Sequence, residues 1–359
     1  MREPIPAKPV IILGPAVSFH IEKWVEGLHS AGVPVTLYTL TAPQNPDLAK
    51  WATVIRLPFS GRLGLVANGI YLAVVLRRDR SSILHVHYAS SYGLMALISC
   101  TGRWLLSVWG SDVFEFPDRS PVHRLLIRAI LERATRITAT SASLQERVQE
   151  LTSGGIDASV IPFGVHRSWI EGERPDRNGP FRCISVKSLE ATYNIDVAIE
   201  SFGIALRNGL PPDSEFWIIG DGPENRKLQQ MAKSLGISSN IIFKGRIPHD
   251  GVREMIDQAD VLLNLSLHES FGVAVIEASA RGIPVIATDV GGLKEVIDPG
   301  KTGFLVPVGE RETTARILLE LHRDPASRRH IGESGRNWVR SRYVFEENLE
   351  RLLALYRTF

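Results

Sequence analysis

Two glutamates, Glu269 and Glu277, bracket a short stretch that reads as a loop followed by an apolar helix. A strand-like segment at 261–266 precedes them, so the pattern predicts strand, tight loop and helix. Since a helix rises about 1.5 Å per residue, the two carboxylates would lie about 12 Å apart along one side. Between them, Gly272 leaves the first-turn N–H groups open to an anion. The arrangement suits a ligand with hydroxyl groups at both ends and phosphate in the middle, which describes a nucleotide-sugar.

The same stretch carries a family resemblance. It reads Glu269-Ser-Phe-Gly-Val-Ala-Val-Ile-Glu277 and is followed by Gly282, Pro284 and the pair Gly291-Gly292. This string resembles the signature of the retaining GT-B glycosyltransferases of the large Glu-x7-Glu family, the group 1 or family 4 enzymes. With Gly220-Asp221-Gly222-Pro223 upstream, the match covers nearly the whole C-terminal half. It implies an α/β fold of two Rossmann-like, doubly wound parallel-sheet domains facing a cleft, with the ligand in that cleft.

The resemblance also implies roles for individual residues. Glu269 would face the donor sugar in a positional and electrostatic role, and Glu277 would bind the ribose hydroxyls. The chain has no Asp-x-Asp triplet, so no metal and no cofactor is expected beside a nucleotide-sugar co-substrate, which would be a UDP- or GDP-sugar. The other residues expected to bind the donor are Lys187, Ser188, Gly245, Arg246, Ile247, Ser270, Phe271, Gly272 and Val273.

Three positions depart from the family pattern. Trp109 stands where relatives often have a histidine, Ser188 replaces an arginine, and Tyr193 replaces a lysine. The usual cations on the donor diphosphate are therefore missing. Lys187 lies one residue away, but strand alternation would turn it to the opposite face unless the strand ends first. Arg246 and Lys294 are further candidate cations.

A second group of residues is expected on the acceptor side. His85 and His87 alternate on one strand and so share a face; a metal pair is conceivable, but no further ligand lies within sequence reach. Asp112 is expected to order the loop, to contact the acceptor, or to cap the next turn. The residues expected to face the acceptor are Ser18, His20, His87, Trp109 and Asp112.

Strand-like and helix-like segments alternate twice along the chain, over 10–164 and over 181–307. Apolar strands that alternate with amphipathic helices predict parallel sheets covered on both faces. The predicted organisation is an acceptor-binding domain at 1–170, a polar linker at 171–180, a donor-binding domain at 181–340, and a final helix at 341–359 that returns to the first domain.

Charge is distributed unevenly over the 359 residues. Residues 1–168 carry 17 Lys and Arg against 12 Asp and Glu, or +5, whereas the remainder carries 24 against 27, or −3. Much of the excess lies at 119–136, where an arginine-rich helix would contact an anionic membrane surface, hold a phosphorylated acceptor, or simply face solvent. No interleaving of basic and aromatic residues indicates nucleic-acid binding. The two cysteines, Cys100 and Cys183, one in each half, fit a cytoplasmic protein.

These patterns predict a retaining glycosyltransferase that moves a sugar from a nucleotide-sugar to a glycan or lipid-linked acceptor in cell-surface polysaccharide biosynthesis. Two alternatives remain open. One is a non-catalytic nucleotide-sugar-binding relative, and the other is a GT-B nucleotide-sugar epimerase or hydrolase. A dehydrogenase is disfavoured because Gly220-Asp221-Gly222 lacks a third glycine.

Overall fold

The structure, a computed structural model, describes residues 8–79, 81–99, 102–175 and 177–359, apart from the side chain of Arg62. The start of the predicted first domain, Cys100, and Asp176 of the predicted linker lie outside these ranges. The chain divides into two compact units. Unit 1 runs to Phe163 and resumes at Glu346–Phe359, and unit 2 spans Gly164–Phe345.

Unit 1 is built on a parallel sheet of seven strands in the order β3-β2-β1-β4-β5-β6-β7. A parallel sheet was predicted here from the apolar segments that alternate over 10–164. Its strands are β1 Val10–Leu13, β2 Val35–Thr39, β3 Thr53–Arg56, β4 Ile83–His87, β5 Trp104–Val108, β6 Arg136–Ala139 and β7 Ala158–Val160. The helices between them are α1 Phe19–Ser30, α2 Leu48–Trp51, α3 Gly61–Leu76, α4 Ser91–Ser99, α5 Ser111–Phe114, α6 Pro121–Arg133 and α7 Ala142–Leu151.

Helices α3, α4 and α6 pack side by side in unit 1. Gly69 of α3 lies so close to α4 that a Cβ there would be 2.7 Å from the side chain of Ile98. A Cβ on Gly93 of α4 would be 2.8 Å from Ile130 of α6. Small residues therefore set the spacing of this helical layer. Among the described residues, no helix combines the length and the apolar character needed to cross a bilayer.

Unit 2 is built on a six-stranded parallel sheet in the order β10-β9-β8-β11-β12-β13. Its strands are β8 Arg182–Val186, β9 Glu215–Ile219, β10 Ile241–Gly245, β11 Val261–Asn264, β12 Val285–Thr288 and β13 Phe304–Val306. Its helices are α8 Arg167–Glu171, α9 Ile195–Arg207, α10 Asn225–Ser234, α11 His249–Asp257, α12 Val273–Ala280, α13 Leu293–Val296, α14 Arg311–Arg323 and α15 Pro325–Arg342. The doubly wound α/β architecture predicted for both halves is thus observed.

The division between the units falls earlier than the predicted linker at 171–180. Val165 bridges to Val344 within unit 2, and the guanidinium of Arg336 donates to the carbonyl of Ile170 at 2.7 Å. The polar composition of the segment predicted a linker, but arginines from α12 and α15 bind its carbonyl groups. The predicted linker therefore lies inside unit 2, which begins at Gly164.

The last helix, α16 Phe345–Arg357, joins unit 1 from Glu346 onward. The side-chain amide of Asn348 donates to the carbonyl of Pro162 at 3.0 Å. The hydroxyl of Tyr356 lies 2.6 Å from Nδ1 of His85 on β4. Both contacts are buried, so the chain end forms part of the core of unit 1.

Candidate active site

Glu269 lies in the loop between β11 and α12, and a glycine pair fixes this loop. The N–H of Gly292 donates to the carbonyl of Glu269 at 2.9 Å. A Cβ on Gly291 would lie 2.1 Å from the same carbonyl oxygen, and Gly291 has a φ of +45°. Any side chain at this position would push the loop away. The glycine pair of the family signature therefore positions the loop that carries the first glutamate.

The carboxylate of Glu269 forms an ion pair with the ammonium of Lys187. Only 12% of the Lys187 side chain and 13% of the Glu269 side chain are exposed, so water screens the pair weakly. The Lys187 ammonium also lies 5.0 Å from the ring centroid of Tyr193. Strand β8 ends at Val186, one residue before Lys187. Strand alternation therefore no longer constrains this side chain, and the lysine turns toward the glutamate.

A second glycine holds the segment that carries Lys187. The N–H of Lys187 donates to the carbonyl of Ile219 at 2.9 Å, and the N–H of Leu189 donates to the carbonyl of Asp221 at 3.0 Å. A Cβ on Gly220 would lie 1.8 Å from the carbonyl oxygen of Lys187. The Gly220-Asp221-Gly222 turn therefore serves close backbone packing beneath the ion pair.

Helix α12 begins immediately after the glutamate loop. Gly272 is its N-cap residue in the left-handed conformation, with a φ of +88°. Phe271 is buried, and its ring lies 5.6 Å from that of Tyr343. Ser270 and Val273 are half-buried on either side. The N–H group of Val275 donates to the carbonyl of Gly272 at 3.0 Å. The first N–H groups of a helix have no carbonyl of a preceding turn to bind, which makes this end a site for negative charge.

Glu277 lies within α12 and is 4% exposed. Its Oε1 atom is 2.7 Å from Nε2 of His249, the first residue of α11. The His249 ring stacks on Trp169, with centroids 5.4 Å apart. The sequence analysis did not identify His249 or Trp169. The only available signal was a single histidine after a proline at a helix start, which is too common to indicate a site.

Arg281 follows Glu277 at the end of α12, and its side chain is fully buried. It forms a salt bridge with Asp257 of α11 at 2.6 Å. It also donates to the carbonyl groups of Trp169 at 2.6 Å, Gly172 at 2.7 Å and Glu173 at 2.7 Å. One guanidinium thereby holds α11 and the segment carrying Trp169 beside the second glutamate.

The remaining predicted donor residues lie in loops of unit 2. Ser188 is exposed just after β8. Gly245 ends β10 with a φ of +68°, followed by the exposed Arg246 and the half-buried Ile247. Strand β10 is separated from β8 by β9, so the Arg246 loop is not adjacent to the Lys187–Glu269 pair in the sheet. Lys294, another candidate cation, pairs with Asp289 at 3.4 Å.

In unit 1, His87 ends β4 and is 1% exposed, and neither ring nitrogen has a hydrogen-bond partner among the described residues. Burial, together with the nearby His20, lowers the pKa of His87 to about 3, so its ring is neutral at neutral pH. His85 differs, because its ring binds Tyr356 and also contacts the hydroxyl of Ser107 at 2.7 Å. A buried imidazole without partners is costly to leave unsatisfied and is available to a ligand hydroxyl.

Two further predicted acceptor-side residues lie near His87, and a third, Ser18, caps the helix that carries His20. The His20 ring stacks on Phe163 with centroids 3.7 Å apart, and the ring of Trp109 lies 5.5 Å from that of His87. Ser18 caps α1, accepting from the N–H of His20 at 3.3 Å.

Asp112 is fully buried, and its carboxylate orders the backbone at the ends of β4 and β5. It accepts hydrogen bonds from the N–H groups of Ala89 at 2.7 Å, Gly110 at 2.8 Å and Trp109 at 3.1 Å. Burial raises the pKa of Asp112, while these three hydrogen bonds oppose the increase. The aspartate thereby fixes the loop that carries Trp109. Across the described part of the chain, no group of three or more His, Cys, Asp or Glu residues is arranged to hold a metal ion.

Comparison with known proteins identifies the family of the chain. Residues 170–338 match the family model of the glycosyl transferases group 1, and residues 9–141 match that of the glycosyl transferase 4-like proteins. A 2-deoxystreptamine N-acetyl-D-glucosaminyltransferase of Streptomyces fradiae is 30% identical over 337 residues, 84% of this chain and 78% of that protein. An N-acetyl-alpha-D-glucosaminyl L-malate synthase of Bacillus anthracis is 28% identical over 298 residues, 79% of this chain and 77% of that protein.

Solved structures share the fold over nearly the full length. A sucrose-phosphate synthase of Thermosynechococcus elongatus has a TM-score of 0.82 at 22% identity, covering 98% of both chains. Anabaena HepE, crystallised with UDP-glucose, has a TM-score of 0.81 at 17% identity, covering 98% of this chain and all of that one. The two parallel sheets therefore correspond to the Rossmann-like domains of the GT-B fold. The chain belongs to the group 1 glycosyl transferases.

Proposed function

We propose that this glycosyltransferase moves a sugar from a UDP- or GDP-sugar to a glycan or lipid-linked acceptor, with retention of anomeric configuration and without a metal ion. The observation that carries the proposal is the Lys187–Glu269 ion pair beside the start of α12. The site combines a cation, a carboxylate and a helix N-terminus. A nucleotide-sugar offers phosphate oxygens to the cation and to the helix N-terminus, and hydroxyl groups to the carboxylate.

In this proposal Lys187 and the first-turn amides of α12 stabilise the diphosphate. An ammonium group has three N–H donors, so Lys187 can bond to phosphate oxygens and retain its contact with Glu269. The negative charge on the diphosphate grows as the bond to the sugar breaks, so donors fixed beside it lower the barrier. Lys187 thereby takes the role of the family cations that Ser188 and Tyr193 replace.

Glu269 then acts on the sugar by position and charge. Its carboxylate is held by Lys187, with Asn264 at 3.5 Å, and can accept a hydrogen bond from a sugar hydroxyl. For retention, the acceptor hydroxyl attacks from the face that the nucleotide leaves, and a donor phosphate oxygen receives its proton. Glu277, oriented by His249, accepts hydrogen bonds from the ribose.

The acceptor class is supported by unit 1 and by the relatives. The neutral ring of His87 can accept a hydrogen bond from an acceptor hydroxyl, and Trp109 can stack on a sugar. One relative, 24% identical over 343 residues, is the putative teichuronic acid biosynthesis glycosyltransferase TuaC of Bacillus subtilis. We place this protein in the cytoplasm, in peripheral contact with the membrane that carries a lipid-linked acceptor.

The proposal is tested with a panel of UDP-, GDP-, ADP- and TDP-sugars in EDTA. We expect one nucleotide class to stabilise the fold, and candidate acceptors to release the matching nucleoside diphosphate from that donor. Glu277→Gln should weaken the stabilisation, whereas Glu254→Gln, an exposed carboxylate on α11, should not. Donor consumption that is independent of any acceptor would instead indicate a hydrolase or epimerase, and binding without turnover would indicate a non-catalytic relative.

A further inference from the structure

Helix α3 exposes a row of aliphatic side chains along its outer face. Leu63 is 87% exposed, Val66 44%, Ile70 59% and Val74 53%. Their spacing of three and four residues places them on one side of the helix, over about 16 Å. We call these four residues the α3 stripe.

The α3 stripe is distinct from the face of the helix that packs in unit 1. Leu72 and Leu76 are buried, and Gly69 lies against Ile98 of α4. No charged residue occurs from Leu63 to Leu76, so α3 is apolar on both its buried and its outer faces. A contiguous exposed row of this kind marks an interaction surface, whereas scattered exposed aliphatics need no partner.

Cations border this apolar surface. Arg77 and Arg78 follow the α3 stripe, are exposed, and form no ion pair among the described residues. On α6, which lies beyond α4, Val122 is 74% exposed and Leu125 is 68% exposed, with the exposed Arg124 between them. Aliphatic side chains flanked by arginines match the acyl region and the phosphates of an anionic bilayer surface.

We infer that the α3 stripe, together with Val122 and Leu125 of α6, docks on an anionic lipid bilayer. The aliphatic side chains would insert among the acyl chains, and the arginines would bind lipid phosphates. A second copy of the chain is the competing occupant. A two-fold pairing would place each face against an identical one, so that two surfaces bordered by Arg77, Arg78 and Arg124 would meet. Charge complementarity therefore favours the lipid surface.

The orientation of α3 connects docking to the acceptor side. Helix α3 follows β3 directly, so Leu63 and the 47% exposed Phe59 lie at the carboxyl edge of the sheet. His87 ends β4 and Trp109 follows β5 at the same edge. Docking through α3 would bring this edge close to a lipid-linked acceptor. In this respect the inference rests on the proposed function.

Cosedimentation with vesicles tests the inference, using phosphatidylcholine alone and with about one-third phosphatidylglycerol. The double variant Leu63→Gln/Ile70→Gln should bind the anionic vesicles at least about tenfold more weakly than the wild type. Val308→Gln, which replaces a 48% exposed aliphatic in unit 2, is the matched control and should bind like the wild type. Arg77→Gln/Arg124→Gln should also bind more weakly, with a smaller dependence on salt.

Titration with UDP and GDP on the same variants separates this inference from the proposed transferase function. Unchanged nucleotide binding with reduced vesicle binding would support the docking surface. Wild-type protein that binds nucleotide but no vesicles would overturn the docking inference and leave the transferase proposal standing. Equal vesicle binding by the wild type and the Leu63→Gln/Ile70→Gln variant would also overturn it. A dimeric wild type and a monomeric Leu63→Gln/Ile70→Gln variant would overturn the inference as well, because the α3 stripe would then join two copies of the chain.

Discussion

The two glutamates at the candidate site of unit 2 are each paired with a basic side chain, whereas the polar residues of unit 1 are mostly neutral. Lys187 binds Glu269, Glu277 binds His249, and each contact joins residues distant in sequence. In unit 1, His85 is bonded to hydroxyl groups, and His87 is buried with no hydrogen-bond partner in the part of the chain that the structure describes. Asp112, a buried carboxylate of unit 1, is bound by backbone amides.

The difference follows the chemistry proposed for the two substrates. A nucleotide-sugar carries a diphosphate, which needs fixed cations and helix N–H groups around it. A glycan acceptor presents hydroxyl groups, which neutral imidazole and aromatic rings can recognise without the cost of burying a charge. Substitutions at the site of unit 2 should therefore act by removing a charge or its partner. A substitution at His87 in unit 1 should act through the pH dependence of stability.

The largest effect on stability is expected at Arg281. Arg281→Met would remove its hydrogen bonds to three carbonyl groups and leave the carboxylate of Asp257 buried without its partner. We expect the free energy of unfolding to fall by about 3–5 kcal/mol, measured by urea denaturation. Arg316→Met removes an exposed pair with Glu320 and should cost less than about 1 kcal/mol. Equal losses in the two variants would show that the buried network does not stabilise unit 2.

The largest effect on turnover is expected at the ion pair. Glu269→Gln and Lys187→Met should each lower kcat of transfer by about 10²- to 10³-fold, because each removes a charge fixed beside the reacting bond. The double variant should lose far less than the product of the single losses, since the two groups act as a pair. Initial-rate measurements check this prediction, and fully multiplicative losses would contradict the pairing.

A smaller effect is expected at His249. His249→Leu removes the hydrogen bond that orients Glu277 and should raise KM for the donor about tenfold with kcat nearly unchanged. His249→Gln restores an N–H donor and should recover part of the affinity. Loss of kcat with unchanged KM would place His249 in the chemical step instead of in donor binding.

The smallest effect concerns the protonation of unit 1. The pKa of His87 is about 3 in the folded chain and about 6.5 in the unfolded chain. Between pH 3 and pH 6.5 the unfolded chain therefore binds more protons at this residue than the folded chain does. Stability should therefore fall as the pH drops below about 6.5, by up to about 1.4 kcal/mol for each pH unit from this group. His20 and His85 face the same ring. In denaturation series at different pH, His87→Leu should be less acid-sensitive than the wild type; an unchanged slope would contradict this assignment.

The sequence predicted the sheets well because apolar runs and turn residues alternate regularly along the chain. The strands of the two sheets lie within the predicted ranges 10–164 and 181–307, and the loop between β11 and α12 follows the predicted pattern of strand, loop and helix. The two glutamates were identified because their spacing and neighbouring glycines form a long string. The structure adds the reason, which is that Gly291 and Gly292 pack against the backbone of this loop.

Long-range partners were less predictable. Whether Lys187 reaches Glu269 depends on where β8 ends, and a shift of one residue reverses the face of a side chain. His249 lies 28 residues before Glu277 and gives no periodic signal. The polar segment 171–180 resembled a linker because the arginines that bind the carbonyl group of Gly172, Arg281 and Arg336, lie far along the chain.

Calorimetric titration of UDP and GDP in EDTA tests most directly whether unit 2 holds a nucleotide diphosphate through Lys187. We expect one of the two nucleotides to bind the wild type and to bind Lys187→Met at least about tenfold more weakly, because a buried cation contacting phosphate contributes at least about 1.4 kcal/mol. Glu254→Gln should bind like the wild type. A nucleotide that binds the wild type and Lys187→Met with equal affinity, or a requirement for added metal, would contradict the role given to Lys187.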